Sequence, residues 1–271
     1  MSKGRHFEGA RQGSGPRGVV LADIPYSGEA EWVERPNRFM GLVRLDSGDV
    51  AKVHVRDPGR LTELLYPGNR VLIRRAPSGT KRKTGWDLVA ARFEDQWVLV
   101  NSGHHPEIAR SILSDPRLCP FGRPVSLKGE VKFGQSRLDF LLEAAPSERG
   151  QPLAQVADRA DKKCGKIFIE VKGCTLARDG IALFPDAPTS RGARHLEELM
   201  EAKRQGFGAA ILVLVFRQDA EIFSPNGQTD PRFAELFHRA VCRGVECYPV
   251  KIAYSVETEQ ALYVESIPFK A

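Results

Sequence analysis

The sequence predicts a small β-barrel followed by an α/β domain with a mixed sheet. Residues 30–100 contain short apolar segments separated by Gly and Pro turns, which is typical of a small all-β domain. From Pro106 onward the pattern changes to alternating helices and strands. With 271 residues, of which 42% are hydrophobic, the chain can form one large domain or two small ones.

We predict that residues 1–29 form a disordered basic tail. Up to Gly18 this segment is dominated by Gly, Arg, Ser and Pro, and it carries four Lys or Arg against one Glu, so it cannot bury a core. Two interpretations remain open: a basic arm that contacts phosphates, or a tail without a partner.

The composition restricts the possible functions. A net charge of +6 favours a polyanionic partner. No run of 18 apolar residues occurs and the N-terminus is polar, so we expect no membrane span, no signal peptide and a cytoplasmic location. The five Cys residues are odd in number and lack CxxC spacing, which argues against a disulfide framework or a zinc site.

The barrel is predicted over residues 30–105. Five or six strands with one short helix, Thr62–Leu65, suit an OB-like fold. The predicted strands are Glu31–Val33, Arg38–Leu45, Asp49–Val55, Arg70–Arg75, Trp86–Phe93 and Gln96–Val100. Lys81, Arg82 and Lys83 lie at a loop tip, where they are either a nucleic-acid-binding phosphate clamp or a solvated turn.

The α/β domain is predicted over residues 106–271. A helix is predicted over Pro106–Leu113, and a hairpin of two strands that turns at Gly134-Gln135 follows it. A polar loop covers residues 146–165, and a stretch rich in turn residues covers 179–188. Helices are expected over Gly192–Gln205, after an N-cap at Thr189-Ser190, and after Asp230-Pro231. The predicted strands are Val125–Phe133, Arg137–Glu143, Lys166–Gly173, Ala209–Phe216, Val245–Val250 and a weak one near Leu262.

The candidate site lies on the Lys166–Gly173 strand. Strand side chains alternate, so Glu170 and Lys172 share one face, and Asp139 interrupts another apolar strand. Two carboxylates are suitable ligands for Mg²⁺ or Mn²⁺, and a Lys can orient water or offset negative charge, as in metal-dependent phosphodiester hydrolysis. The tripeptide alone is weak evidence, because Glu-x-Lys also occurs at Glu130 and Glu201. A solvated edge strand with an ordinary ion pair is the alternative.

The start of the Gly192–Gln205 helix carries further candidates. Arg191 and Arg194 near a helix N-terminus are suited to bind a nucleic-acid phosphate. His195 is either an accessory group that touches a phosphate or a metal, or an ordinary capped surface His.

Five segments together resemble the SfsA family, the sugar fermentation stimulation proteins, in order and at matching spacing from about residue 32 to 268. They are Asp57–Gly68, Glu130–Leu142, Glu170–Leu176, Leu183–Gly192 and His195–Leu199. The resemblance implies an N-terminal OB-like barrel and a C-terminal domain of the PD-(D/E)xK, restriction-endonuclease-like fold. It also implies DNA binding and a divalent metal site, which by position is Asp139, Glu170 and Lys172.

The first helix of the nuclease-like domain departs from the family pattern. Many members carry an acid on the first helix of the nuclease-like domain, where this chain has Ser111. Glu107 lies one helical turn earlier on the same face, so it is a possible accessory acid.

Two functions from different classes follow. The first is a DNA-binding protein with a Mg²⁺- or Mn²⁺-dependent nuclease site at Asp139, Glu170 and Lys172, in which the two acids bind the metal. The second is a non-catalytic DNA-binding regulator of sugar metabolism that retains the nuclease fold. An oligonucleotide- or carbohydrate-binding OB module is a third possibility.

Overall fold

The computed structural model describes residues 18–77, 84–145 and 165–270. The predicted clamp Lys81-Arg82-Lys83 and most of the 146–165 loop lie outside these ranges. None of the helices in the described ranges is both long and apolar enough to cross a membrane.

The N-terminal part is a closed five-stranded barrel, as predicted. Its strands are β2 (Gly28–Asn37), β3 (Met40–Arg44), β4 (Val50–His54), β5 (Arg70–Arg75) and β6 (Trp86–Phe93). Antiparallel pairing runs β4-β3-β2-β5-β6, and a parallel pairing of Val53–His54 with Trp86–Asp87 closes the ring. This is the strand order of an OB-fold. A sixth strand, β7 (Gln96–Leu99), pairs with β6, and residues 62–64 form a turn in place of the predicted helix.

The C-terminal part is built on a seven-stranded mixed sheet in the order β1-β16-β15-β13-β10-β9-β8. The pairs β10–β13 and β13–β15 are parallel and the others are antiparallel. Its strands are β1 (Val19–Asp23), β8 (Arg123–Phe133), β9 (Ser136–Ala145), β10 (Gly165–Cys174), β13 (Gly208–Val215), β15 (Glu246–Ser255) and β16 (Gln260–Ser266).

Helices cover both faces of this sheet. Helix α1 (His105–Ser114) packs its apolar side on one face, together with Ile169 and Leu212. Helices α2 (Ser190–Arg204) and α3 (Pro231–Cys242) pack on the other face, together with Phe168. Thr189 caps α2, because its side chain accepts a hydrogen bond from Gly192 N at 3.0 Å.

The prediction of a disordered tail over residues 1–29 is wrong for the residues described, 18–29. Strand β1 pairs antiparallel with β16, from Val19 opposite Tyr263 to Asp23 opposite Gln260. The Gly- and Arg-rich composition ends at Gly18, and the apolar residues that follow can bury surface: Leu21 is 4% exposed. The C-terminal sheet therefore receives its edge strand from the segment that precedes the barrel.

The turn-rich stretch 179–188 also contains more structure than predicted. A small three-stranded sheet forms from β11 (Ala177–Arg178), β12 (Ile181–Phe184) and β14 (Ile222–Pro225). Such short strands among turn residues leave little periodicity to detect in the sequence.

Candidate functional site

Strand β10 lies inside the seven-stranded sheet, between β9 and β13. Its side chains alternate: Ile167 and Ile169 face α1, whereas Phe168 faces α2. Glu170 therefore points to the α2 face, into an apolar layer, and it is only 3% exposed. A carboxylate at such a position is costly unless neighbouring groups compensate it.

Two side chains form hydrogen bonds with one carboxylate oxygen of Glu170 and offset the cost of burying its charge. Lys172 Nζ donates to Oε1 at 2.5 Å, and His195 Nδ1 forms a short hydrogen bond to the same atom. Burial raises the pKa of Glu170, but Lys172 and His195 outweigh burial and the net shift is downward. The other oxygen, Oε2, is buried and has no hydrogen-bond partner among the described residues. Glu170 is thus ionised and held at one oxygen while the second oxygen stays unsatisfied.

Asp139 approaches Glu170 where β9 and β10 separate. The described pairing ends at Ile169 opposite Phe140, and beyond it Val171 N donates to Asp139 Oδ2 at 2.7 Å instead of to a strand carbonyl. Burial and the charge of Glu170 raise the pKa of Asp139, against the opposing effects of the Val171 N–H, Lys172 and His195. The two acids therefore repel each other, and a cation between them would relieve that repulsion.

His195 comes from the second turn of α2 and is 2% exposed. Arg191 Nε donates to its Nε2 at 3.5 Å, which assigns the hydrogen of the ring to Nδ1, the atom that faces Glu170. His195 is therefore neither a surface cap nor a free ligand; it holds Glu170 in place. The sequence identified the residue but missed this contact. The sequence did contain a signal for a buried His195: it lies on the same helical face as Leu199, which packs on the sheet.

The predicted phosphate contacts lie nearby. Arg191 and Arg194 are both exposed in the first turns of α2. Arg194 Nε donates to Ser136 Oγ at 3.2 Å, so this side chain contacts the start of β9.

The predicted accessory acid is not brought into this cluster. Glu107 is exposed, its carboxylate is 3.7 Å from His104 Nδ1, and it forms no ion pair with Lys172. Ser111, at the position where relatives are expected to carry an acid, donates to Leu21 O at 2.6 Å and thus contacts β1. In the described part of the chain no group of three His, Cys, Asp or Glu side chains is arranged to hold a metal ion.

The residues present nevertheless fit a divalent cation with oxygen ligands. Mg²⁺ is commonly held by one or two carboxylates and completes its shell with water and substrate oxygens, so three protein side chains are not required. Glu170 Oε2 supplies an unpartnered carboxylate oxygen, Asp139 supplies a second carboxylate, and the Val171 carbonyl is a candidate third oxygen.

Comparison with known proteins agrees with this architecture. Residues 33–100 match the model of the SfsA N-terminal OB domain, and residues 103–258 match that of the sugar fermentation stimulation protein RE domain. The chain belongs to the sugar fermentation stimulation protein family. The resemblance found in the sequence is thereby confirmed.

Curated relatives match over nearly their whole length. The chain is 41% identical to the sugar fermentation stimulation protein homolog of Methanococcoides burtonii, over 93% of this chain and 96% of the relative. It is 44% identical to the homolog of Methanothermobacter thermautotrophicus, over 90% and 93%. A solved structure, Pyrococcus furiosus SfsA in complex with Ca²⁺, is 25% identical, with a TM-score of 0.77 and coverage of 93% of this chain and 100% of that one.

Proposed function

We propose that this family member is a metal-dependent nuclease that hydrolyses phosphodiester bonds in DNA, with Asp139, Glu170 and Lys172 at its site. One observation carries the proposal: Glu170 is a buried, ionised carboxylate with one oxygen held by Lys172 and His195 and the other unpartnered. A structural ion pair would be expected to satisfy both oxygens, because a buried unsatisfied acceptor costs about 1–3 kcal/mol.

Each residue has a distinct role in the proposal. Asp139 and Glu170 bind Mg²⁺ or Mn²⁺, and the bound ion would polarise the phosphate and lower the pKa of a water ligand. Lys172 donates hydrogen bonds to the attacking water or to the phosphate oxygens as negative charge develops. His195 keeps Glu170 oriented, so that Oε2 points away from Lys172.

The solved relative supports the cation. The Pyrococcus furiosus protein was determined in complex with Ca²⁺, a cation that takes oxygen ligands. We extend this to the present chain because the buried carboxylate of Glu170 and the half-buried carboxylate of Asp139 offer the same type of donor. In a nuclease the working ion would be Mg²⁺ or Mn²⁺.

The alternative is a non-catalytic DNA-binding regulator of sugar metabolism. The observation that favours it is the number of protein ligands, since among the described residues no third His, Cys, Asp or Glu side chain joins the two carboxylates as a metal ligand. In that case Glu170, Lys172 and His195 form a buried polar network that stabilises the sheet.

A cleavage assay tests the proposal. The purified protein is incubated with single- and double-stranded DNA and RNA in the presence of Mg²⁺, Mn²⁺ or EDTA, beside Asp139→Asn and the surface variant Glu130→Gln. We expect metal-dependent cleavage by the wild type and by Glu130→Gln, and none by Asp139→Asn. A wild type that cleaves none of the four substrates with either metal would leave the regulator as the function.

A further inference from the structure

A surface groove lies between α2 and α3, away from Glu170. Its volume is about 700 Å³. Four of its seven lining residues are cationic, two are acidic and one is a methionine: Lys203, Arg204, Arg239, Arg243, Glu197, Glu201 and Met200.

Both acids of the groove are already paired. Glu201 accepts hydrogen bonds from Arg204 Nε at 2.6 Å and Nη2 at 2.5 Å, and from Gln205 Nε2 at 2.8 Å. These bonds lower the pKa of Glu201 to about 2, so it stays ionised and paired at neutral pH. Glu197 is 3.6 Å from Arg232, which is not a lining residue.

Three cations of the groove lack such a partner. Within the described ranges no carboxylate lies within 4.0 Å of the side-chain nitrogens of Lys203, Arg239 or Arg243. Arg239 and Arg243 are both exposed; Arg239 lies in the last turn of α3, and Arg243 is the C-cap residue that follows the helix. The side chain of Lys203 extends from α2 toward the residue after Arg243. Its Nζ lies 3.7 Å from the position that a Cβ atom on Gly244 would occupy. Each cation alone suits the C-terminal end of a helix, but the convergence of three from two helices leaves excess positive charge in one concave surface.

We propose that this groove, defined by Lys203, Arg239 and Arg243, is a second nucleic-acid contact that binds backbone phosphates outside the cleavage site. The chemistry it recognises is a row of phosphates, because the groove brings together several cations that have no carboxylate partner among the described residues. That the partner is nucleic acid rests on the proposed function.

The geometry of α2 connects the two sites. His195 contacts Glu170 near the start of the helix, and Lys203 lies eight residues further along. At about 1.5 Å per residue this corresponds to about 12 Å, or roughly three to four phosphate spacings of about 3.4 Å along the helix axis. A duplex that engages Glu170 and runs along α2 would reach the groove once it extends about four base pairs beyond the site, so shorter substrates would not use it.

A matched pair of double variants tests the groove. Arg239→Gln/Arg243→Gln removes two unpaired cations, whereas Arg70→Gln/Arg117→Gln removes two that are already paired with Glu29 and Asp115. Both change the net charge equally. Binding of a fluorescent 20-base-pair DNA duplex is measured in EDTA over a range of salt concentrations, after circular dichroism has shown that each variant melts like the wild type.

The groove variant should raise Kd about tenfold or more at low salt and reduce the slope of log Kd against log salt by up to about 1.8, since each lost phosphate contact removes about 0.9. The control should follow the wild type. The proposal would be overturned if the two double variants had equal Kd and equal slope. It would also be overturned if the groove variant had a higher Kd without any change in slope. A wild type that does not bind the duplex would overturn it as well.

Failure of the groove and failure of the nuclease proposal can be told apart. Binding is measured in EDTA and therefore requires no cleavage. If the wild type never cleaves DNA but the groove variant loses affinity for it, the groove proposal holds and the nuclease proposal fails. Conversely, a cleaving wild type whose groove variant binds and cleaves long duplexes normally rejects the groove alone.

Discussion

The same tripeptide, Glu-Val-Lys, occurs on two strands of one sheet with opposite outcomes. Glu170-Val-Lys172 lies on the internal strand β10, where the side chain of Glu170 is 4% exposed. Glu130-Val-Lys132 lies on the edge strand β8, where the side chain of Glu130 is 77% exposed and pairs with Arg137 Nη1 at 3.3 Å. Because the residue types are identical, the difference arises from the position of each strand in the sheet.

Position determines what the carboxylate can do. At Glu130 water screens the pair, and such surface ion pairs contribute about 0–1 kcal/mol. At Glu170 burial strengthens every charge interaction, and Asp139, Lys172 and His195 all act on the same group. A tripeptide motif thus becomes a candidate site only when the fold buries it beside a second acid.

The largest expected difference between the two tripeptides concerns the lysines. Lys172→Met keeps the aliphatic stem but removes the charge, and it should lower the cleavage rate about 100-fold, as expected for a lost transition-state donor. Lys132→Met, on the exposed strand, should cleave like the wild type. Single-turnover rates with Mn²⁺ measure both. If Lys172→Met cleaves as fast as Lys132→Met, the site has been assigned to the wrong residues.

The second difference concerns metal-dependent stability. At a Mg²⁺ or Mn²⁺ concentration of about 100 times Kd, a bound ion should stabilise the wild type by about 2.7 kcal/mol. Asp139→Asn should remove this gain, whereas Glu130→Gln should keep it. Thermal melts with and without EDTA give the values, and an equal shift in all three proteins would mean that the ion binds elsewhere.

A smaller effect is expected from the group that holds Glu170. His195→Phe keeps an aromatic ring but deletes the hydrogen bond to Oε1, and loss of such an outer-shell partner weakens metal affinity about 10-fold or more. The exposed His238 on α3 provides the control variant His238→Phe. Titration calorimetry with Mn²⁺ compares the two, and identical affinities would show that His195 does not position the ligand.

The smallest expected effect is a pH dependence. The pKa of Asp139 is raised above its ordinary value of 3.8, so in metal-free protein its ionisation disfavours the folded state, and stability falls as pH rises from 3.8 through the raised pKa. Glu170 has a lowered pKa and acts oppositely: its contribution is present above 4.5 and is lost as pH falls through the lowered value. Urea unfolding in EDTA should therefore show wild type losing stability relative to Asp139→Asn as pH rises above 3.8. A difference that does not vary with pH would contradict this.

Much of the fold could be predicted from the sequence because strongly periodic segments determine it. The predicted strands at Arg70–Arg75 and Trp86–Phe93 agree with β5 and β6, and the long apolar run from Ala209 became β13 inside the sheet. Strand β1 was missed because five residues beside a Gly- and Arg-rich segment are too few to reveal a period.

The site was predictable only in part, for a similar reason. Glu170, Lys172 and Asp139 stand in strands whose alternation can be read from the sequence, and the structure brings their charges together. The hydrogen bond between His195 and Glu170 joins α2 to β10 through tertiary packing, which no local sequence pattern can predict. The same limit applies to Glu107 and Ser111, since tertiary packing places α1 on the face of the sheet opposite to the one that Glu170 points to.

The pairing of β1 with β16 has a consequence for the order in which the protein is made. The ribosome synthesises β1 first and its partner only after the barrel, α1, α2 and α3. The barrel can close early because its strands are neighbours in the chain, whereas β1 must wait for β16 before its backbone is paired in the sheet. During synthesis the nascent chain therefore carries an unpaired apolar strand until β16 emerges, the kind of segment that chaperones bind, and the C-terminal sheet is the last part of the molecule to be completed.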